Sequence, residues 1–228
     1  MSARGLFVTG TDTGVGKTLV ACALVRALVQ QGSRVAVLKP VASGSLATPE
    51  GLRNEDALAL RACANCGQSY ADINRYCFEP PVSPHIAADE AGILIDLGKI
   101  RDDYDRLAAQ ADWVVVEGAG GWLAPIAPGR TMADLALALP ARVLLVVGLK
   151  LGCLNHAALT RASIAAAGAP FAGWVANALD PNLLRAPQNL LALERSLGEP
   201  ALERLAYLGA AAGEALLAQA AGKLARTA

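Results

Sequence analysis

Residues 9–18, which read TGTDTGVGKT, constrain the fold of this chain more than any other segment. They follow the apolar run LFV and precede residues 17–32, where apolar side chains recur at helical spacing up to Gly32. A strand, a glycine-rich turn and a helix that opens on Gly16-Lys17-Thr18 form the arrangement of a phosphate loop. Such a loop directs backbone N–H groups and the positive end of a helix at an anion. The segment therefore predicts an α/β fold that binds a phosphorylated ligand.

The remaining apolar segments indicate the same fold class. Four further runs with almost no polar alternation are strand candidates: RVAVLKP, WVVVEGAGG, RVLLVVG and GWVANAL. Helical patterns lie between them, within residues 53–64, 91–111 and 155–167. Continuous apolar strands that alternate with helices indicate a parallel sheet covered on both faces. We predict one doubly wound, mostly parallel α/β domain of the phosphate-loop NTPase type over residues 1–228.

Composition and charge argue against several classes of protein. Twenty basic residues balance twenty acidic ones and form no block of like charge, so we expect no nucleic-acid or anionic-membrane partner. The longest apolar run, residues 143–149, is far shorter than the roughly 20 residues of a membrane helix. We expect a cytoplasmic protein. Cys63 and Cys66 form a CxxC pair, but no second pair stands at ligand spacing, which disfavours a zinc site.

The loop residues predict separate roles. Lys17 can reach the β- and γ-phosphates of a nucleotide, and the Thr18 hydroxyl can bind Mg²⁺. The alternative is a capped strand–helix turn with an exposed lysine. The loop departs from the common pattern GxxxxGK(S/T), because Thr11 stands where glycine is expected. It also differs from the loop of partition ATPases, which resembles KGGxGKT, because Asp12 stands at the position of their signature lysine.

Further candidates follow the other predicted strands, where ligands bind in such sheets. Glu117 ends a buried run, where an unpaired carboxylate is costly, so we interpret it as a Mg²⁺ ligand. The glycines of the turn that follows, Gly118, Gly120 and Gly121, indicate either a flexible turn or close backbone approach to the ligand. Asp56 opens a helix, where it is either a ligand or an acid favoured by the helix dipole. Lys39 ends the second strand, either as a second positive charge over a transferring phosphoryl group or as a surface lysine.

Taken in order, seven segments closely resemble the dethiobiotin synthetase family: GTDTGVGKT, KPVASG, GLRNEDALAL, SPHIAA, ADWVVVEGAGGW, VVGLKLGCLNHA and AGWVAN, within residues 9–177. The resemblance implies a homodimeric ligase of biotin biosynthesis, with Mg²⁺ as cofactor and ATP as co-substrate. It implies that 7,8-diaminononanoate takes up CO₂ as a carbamate. ATP then converts the carbamate to a carbamic-phosphoric anhydride, and ring closure gives dethiobiotin and phosphate.

The resemblance also implies a role for each matching position. Lys17 and Lys39 are catalytic, and the metal ligands are Thr18, Asp56 and Glu117. The nucleotide-binding residues are Thr13, Gly14, Val15, Gly16, Lys17, Thr18, Asp56, Glu117, Gly118, Ala119, Gly120 and Asn177, the last an adenine contact. The substrate-binding residues are Thr13, Ser43, Gly152, Cys153, Leu154 and Asn155. The last four form a helix start, with Asn155 as its expected cap, that receives the substrate carboxylate from the other subunit, so the sites are shared across the dimer.

Two other functions are compatible with the fold. The first is a nucleotide-driven switch or partition ATPase, against which Asp12 argues, because an acid cannot stabilise a neighbouring subunit's phosphates. The second is a GTP-dependent metal-delivery protein. Asn177 begins a segment similar to the NKxD motif of GTPases, but Ala178 stands at the lysine position, and no Cys/His delivery cluster occurs.

Overall fold

The fold is that of a computed structural model, which describes residues 3–207 and 221–223. The predicted domain extends beyond these residues at both ends. The strands of the described part are β1 (Arg4–Gly10), β2 (Val35–Leu38), β3 (Val41–Ala42), β4 (Leu46–Thr48), β5 (Gly51–Arg53), β6 (Tyr76–Cys77), β7 (Trp113–Glu117), β8 (Pro125–Ala127), β9 (Arg130–Thr131), β10 (Ala141–Leu149), β11 (Phe171–Ala178) and β12 (Glu203–Leu205). The helices are α1 (Lys17–Gln30), α2 (Glu55–Cys63), α3 (Tyr70–Ile73), α4 (Pro84–Glu90), α5 (Leu97–Ala108), α6 (Met132–Ala138), α7 (Cys153–Ala166) and α8 (Ala186–Leu197).

Within the described residues, six strands form the central sheet, in the order β12-β11-β10-β1-β7-β2, and every neighbouring pair is parallel. Successive side chains of a strand point to opposite faces. Phe7 accordingly belongs to one hydrophobic core, whereas Leu6 and Val8 belong to the other. The predicted doubly wound sheet with helices on both faces is confirmed. Strands that are buried on both faces appear in the sequence as continuous apolar runs, and all five residues of β7 are buried in this way.

The structure corrects several predicted boundaries. The helix predicted within residues 53–64 begins at Glu55, because the Asn54 side chain caps it by accepting from Ala57 N at 3.3 Å. The helix within residues 91–111 is confined to α5, which Asp96 caps in the same way. Helix α7 begins two residues before the predicted Asn155. None of the helices in residues 3–207 and 221–223 is both long and apolar enough to cross a membrane.

Parallel pairing brings the functional loops together. The carboxyl ends of β1, β2, β7, β10 and β11 lie at one edge of the sheet, because all five run in the same direction. The phosphate loop follows the central β1, which lies between β10 and β7. Two short hairpins, β4–β5 and β8–β9, and the parallel pair β3–β6 lie outside the main sheet. The candidate site therefore draws on segments far apart in the sequence.

Candidate functional site

The phosphate loop is held to the sheet by its own backbone. Thr11 N donates to Val146 O of β10 at 3.0 Å, and the Lys17 ammonium donates to Asp12 O at 3.0 Å. Gly16 has a φ of +89°, and a Cβ there would lie 2.2 Å from Nδ2 of Asn177. Only glycine satisfies both the left-handed backbone and the close approach. This requirement explains the glycine directly before the lysine.

Asn177 lies beneath the loop at the end of β11. Its side chain is buried, and Nδ2 donates to Val15 O at 2.9 Å. The contact satisfies a carbonyl of the phosphate loop and joins the loop to β11. Sequence reasoning does not find this contact, because no local pattern links residues so far apart. The adenine contact expected of Asn177 stays a prediction.

Four side chains that the sequence singles out converge on an ion cluster, in which Lys39 and Glu117 are buried and Asp56 is partly exposed. Nζ of Lys39 lies 2.6 Å from Oε1 of Glu117 and 3.0 Å from Oδ2 of Asp56. The Thr18 hydroxyl donates to the same Oε1 at 2.9 Å. Burial opposes charge on Lys39, but Glu117 and Asp56 outweigh it and raise the pKa of the ammonium. Burial likewise opposes charge on Asp56, but Lys39 outweighs it and lowers the pKa of that carboxyl. Lys39 is thus a buried ion-pair lysine and not a surface one.

The backbone of Lys39 is fixed by residues 73 and 74. Lys39 N donates to Ile73 O at 2.8 Å, and Nδ2 of Asn74 donates to Lys39 O at 2.6 Å. Asn74 also accepts from the Tyr70 hydroxyl at 2.9 Å and is only 4% exposed. These contacts orient the lysine toward Glu117. Tyr70 in turn accepts from the backbone N–H of Asn54, so α2 is tied to the same network.

Replacing Asn74 by alanine is expected to lower the free energy of unfolding by about 2 kcal/mol, because Lys39 O and the Tyr70 hydroxyl each lose a buried partner. Urea denaturation followed by circular dichroism measures the change. Asn182→Ala is the matched control, since Asn182 is exposed and its side chain has no comparable network; a change within about 0.5 kcal/mol is expected there. Equal stability of Asn74→Ala and the control would contradict the positioning role of Asn74.

The pKa of the Lys17 ammonium is also shifted from its ordinary value. Burial, followed by the positive charge of Lys39, lowers the pKa of Lys17 to about 8. Two ammonium groups therefore share one cleft, and their mutual repulsion is relieved when an anion enters. A site of this kind favours a ligand with several negative charges over a neutral one.

The donor set of the cluster fits a magnesium ion. Glu117 Oε2 is buried and has no hydrogen-bond partner among the described residues. The Thr18 hydroxyl, bonded to Glu117 Oε1, and Oδ2 of Asp56, bonded to Lys39, are further hard oxygen donors of the same cluster. Mg²⁺ takes one or two carboxylates together with phosphate oxygens and waters, so three side chains suffice.

The cluster forms the wall of a cavity of about 310 Å³. Its lining consists of Thr13, Gly14, Gly16, Lys17, Thr18, Lys39, Ala42, Ser43, Asn54, Asp56, Glu117, Ala119 and Gly120. Ala42 and Asn54 are not among the predicted site residues, although Asn54, in the segment NEDAL, is of a residue type that commonly caps helices. Val15 and Gly118 are not part of the lining; Val15 is fully buried, and Gly118 N donates to Val8 O.

A second cavity, of about 330 Å³, lies at the amino ends of the strands. It is lined mainly by apolar residues and contains no phosphate loop.

The start of α7 lies outside this cavity. Gly152 is the cap residue, with a φ of +95°, so the expectation that Asn155 caps the helix is wrong. The turn of residues 150–152, in which Cys153 N donates to Lys150 O at 3.0 Å, begins the helix earlier. Cys153 is buried, whereas Gly152, Leu154 and Asn155 are exposed. Within one chain, the four residues predicted to bind the substrate carboxylate do not join the other substrate residues.

Comparison with known proteins identifies the family. A profile described as an AAA domain matches residues 4–212. The ATP-dependent dethiobiotin synthetase BioD of Xanthomonas oryzae pv. oryzae is 46% identical over 207 residues, which cover 91% of this chain and 92% of the relative. BioD 1 of Salmonella typhi is 46% identical over 213 residues, or 93% of each chain. The chain belongs to the dethiobiotin synthetase family. The predicted resemblance is confirmed, and with it the class of ATP-dependent, ligase-type enzyme.

Solved structures resemble this dethiobiotin synthetase family member in fold alone. The cell division ATPase MinD of Pyrococcus furiosus has a TM-score of 0.62 at 19% identity and covers 99% of this chain and 100% of its own. The MinC:MinD complex of Aquifex aeolicus gives 0.64 at 16% identity, with coverage of 98% and 96%. At these identities the likeness supports the phosphate-loop NTPase fold and says nothing of function.

Proposed function

We propose that this member of the family uses ATP and Mg²⁺ to close 7,8-diaminononanoate and CO₂ into dethiobiotin in the cytoplasm. The observation that carries the proposal is the cavity in which Lys17, Lys39 and a magnesium-type donor set surround the end of a phosphate loop. Ser43 lies in the same lining and offers a hydroxyl to a second substrate. The names of the relatives support the choice of reaction.

The proposed chemistry proceeds in three steps. An amine of 7,8-diaminononanoate adds to CO₂ and loses a proton, which gives a carbamate. A carbamate oxygen attacks the γ-phosphorus of ATP, ADP leaves, and a carbamic-phosphoric anhydride results. The second amine attacks the anhydride carbon and loses a proton, phosphate leaves with the carbamate oxygen, and a cyclic urea is formed. None of these steps requires a nucleophilic side chain.

The protein contributes position and charge, which are the main demands of phosphoryl transfer. Lys17 lies at the loop, where its ammonium can reach the β- and γ-phosphates. Lys39 lies between the carboxylates of Glu117 and Asp56 on the cavity wall, from which its ammonium can donate to the transferring group. Thr18, Asp56 and Glu117 would hold Mg²⁺, which neutralises phosphate charge when it is bound. The buried orphan oxygen of Glu117 supports this assignment.

A homodimer with shared sites explains the position of α7. The N-terminus of α7 can receive a carboxylate, because Leu154 and Asn155 of its first turn are exposed and the start of a helix leaves backbone N–H groups without intrahelical partners. It lies outside its own chain's cavity, so we propose that it binds the carboxylate of a substrate whose amines react in the partner's cavity. Leu151, at 94% exposed, and the half-exposed Leu154 flank this helix start, which favours a protein surface there over solvent.

The affinity for ATP is expected to fall as pH rises above about 8. The free Lys17 then loses its proton, whereas the phosphates hold it in the bound state toward its ordinary pKa of 10.5. Binding therefore takes up a proton between these values, and each pH unit weakens affinity by up to about tenfold. Titration calorimetry in two buffers of different ionisation enthalpy measures the uptake. In Lys17→Arg, which stays charged, the pH dependence should disappear; an equal dependence would contradict the role of Lys17.

ATP turnover with and without 7,8-diaminononanoate and bicarbonate tests the proposal. We expect phosphate release only with both substrates, in step with a product that has the mass of dethiobiotin. Turnover that ignores both substrates and yields no product would favour the nucleotide switch instead.

A further inference from the structure

An acidic side chain lies within the phosphate loop, where a polyphosphate would repel it. Asp12 is the second residue after β1, and its side chain is 43% exposed. Bonds from Lys150 and from the Thr13 N–H lower the pKa of the carboxyl, which is therefore ionised at neutral pH. A loop that collects negative charge tolerates such a group only if a cation neutralises it.

Lys150 supplies the cation. Its Nζ lies 2.9 Å from Oδ2 of Asp12, although 138 residues separate the two in the sequence. Lys150 follows β10, and β10 pairs directly with β1, so the ends of the two strands are neighbours. The carbonyl of Lys150 also accepts from Cys153 N in the turn that begins α7. One residue thus joins the phosphate loop to the start of α7.

The ion pair also orients the peptide unit that holds Lys17. The other oxygen of Asp12, Oδ1, accepts from Thr13 N at 2.8 Å. The carbonyl of that same peptide unit accepts from Nζ of Lys17 at 3.0 Å. The chain of contacts therefore runs from Lys150 through the carboxylate of Asp12 and one peptide group to the Lys17 ammonium. Neither Lys150 nor Asp12 lines the cavity, so both act through other groups.

We propose that Lys150 is a positioning residue of the nucleotide site, which neutralises Asp12 and fixes the peptide that holds Lys17. The inference rests on the proposed ATP site. An exposed ion pair contributes little to the free energy of unfolding, so we expect its loss to change the affinity for the nucleotide instead. If Lys150 acts by neutralising Asp12, the single and double variants should differ, whereas a purely structural role of Lys150 predicts no such difference. Loss of Lys150 alone leaves a negative charge in the loop, whereas loss of both charges removes the repulsion.

Calorimetric titration with the Mg²⁺ complex of a β,γ-methylene ATP analogue tests the inference on the full chain. Lys150→Met is expected to weaken binding about tenfold. The double variant Asp12→Asn/Lys150→Met should return to within about threefold of wild type, and Lys150→Arg should stay there too. Asp12→Asn alone should bind no more weakly than wild type. Raising the salt from about 0.1 to 1 M should shrink the ratio between wild type and Lys150→Met.

Lys99→Met is the matched control, because Lys99 is an exposed lysine of α5 that does not line the cavity; unchanged binding is expected. A double variant as weak as Lys150→Met would overturn the charge account, and wild-type binding by Lys150→Met would overturn the role altogether. These ratios are independent of product formation. A wild-type protein that binds the analogue but makes no dethiobiotin would count against the proposed reaction only.

Discussion

Replacement of Lys39 by alanine is expected to lower kcat by a hundredfold or more, with a much smaller change in the affinity for ATP. Loss of a donor that acts on the transition state has an effect of this size. The ammonium is buried between Glu117 and Asp56, on the wall of the cavity into which the phosphate loop points. Steady-state turnover and calorimetric titration with ATP separate the two quantities.

The same substitution has a structural consequence that must be measured alongside activity. Without Lys39 the buried carboxylate of Glu117 loses its ion-pair partner, which destabilises the free protein. Mg²⁺ should raise the melting temperature of Lys39→Ala more than that of wild type, because the ion replaces the lost positive charge. Lys39→Arg keeps the charge and serves as the second variant, and Lys99→Ala is the surface control. A folded Lys39→Ala protein with near wild-type kcat would remove Lys39 from the mechanism.

Co-expression of two inactive chains is expected to restore about a quarter of wild-type activity. One chain carries Lys17→Ala, and the other carries a substitution at the start of α7 that repels the substrate carboxylate. With free two-fold pairing, half of the dimers are mixed. If α7 of each subunit serves the cavity of its partner, every mixed dimer contains one intact site and one site with both lesions. If each site is built within one subunit, every site carries a lesion and no activity returns.

The backbone conformation at the start of α7 favours one of two possible substitutions. Gly152→Glu introduces the required charge, but a side chain at a φ of +95° strains the backbone. Asn155→Glu is the safer second variant, since residue 155 is exposed within the first turn, where an acid is compatible with the helix. Lys17→Ala mixed with Lys39→Ala is the control, because both lesions lie in the same cavity and no site recovers. An inactive Lys17→Ala/Asn155→Glu mixture, with mixed dimers confirmed by native mass spectrometry, would rule out shared sites.

The main sheet could be predicted because buried parallel strands carry a strong signal. Strands such as β7 and β10 are continuous apolar runs, and the helix after the phosphate loop shows clear periodicity. The hairpins β4–β5 and β8–β9 have strands of only two or three residues, too short for any period to emerge. Their existence depends on contacts with the rest of the fold.

The candidate site was predictable in its charged residues but not in its support. A lysine or carboxylate at the end of an apolar strand is conspicuous, so Lys39 and Glu117 could be found by position. The amides of Asn74 and Asn177 donate to backbone carbonyls of distant segments, Lys39 O and Val15 O. Single-sequence reasoning cannot locate such partners. The expected cap at Asn155 is wrong because the helix begins earlier, at a cap residue, Gly152, in the left-handed conformation. A glycine permits this conformation but does not require it, so the residue type alone could not predict it.

The fate of the bicarbonate oxygens tests the proposed reaction most directly. Fully ¹⁸O-labelled bicarbonate is added to enzyme, Mg²⁺, ATP and 7,8-diaminononanoate in unlabelled water, and the reaction is quenched before the label exchanges. A carbamic-phosphoric anhydride transfers one carbamate oxygen to phosphate and leaves the other in the ring carbonyl. Mass spectrometry should therefore find one ¹⁸O in phosphate and one in dethiobiotin. Unlabelled phosphate, released with or without a cyclic product, would contradict the account.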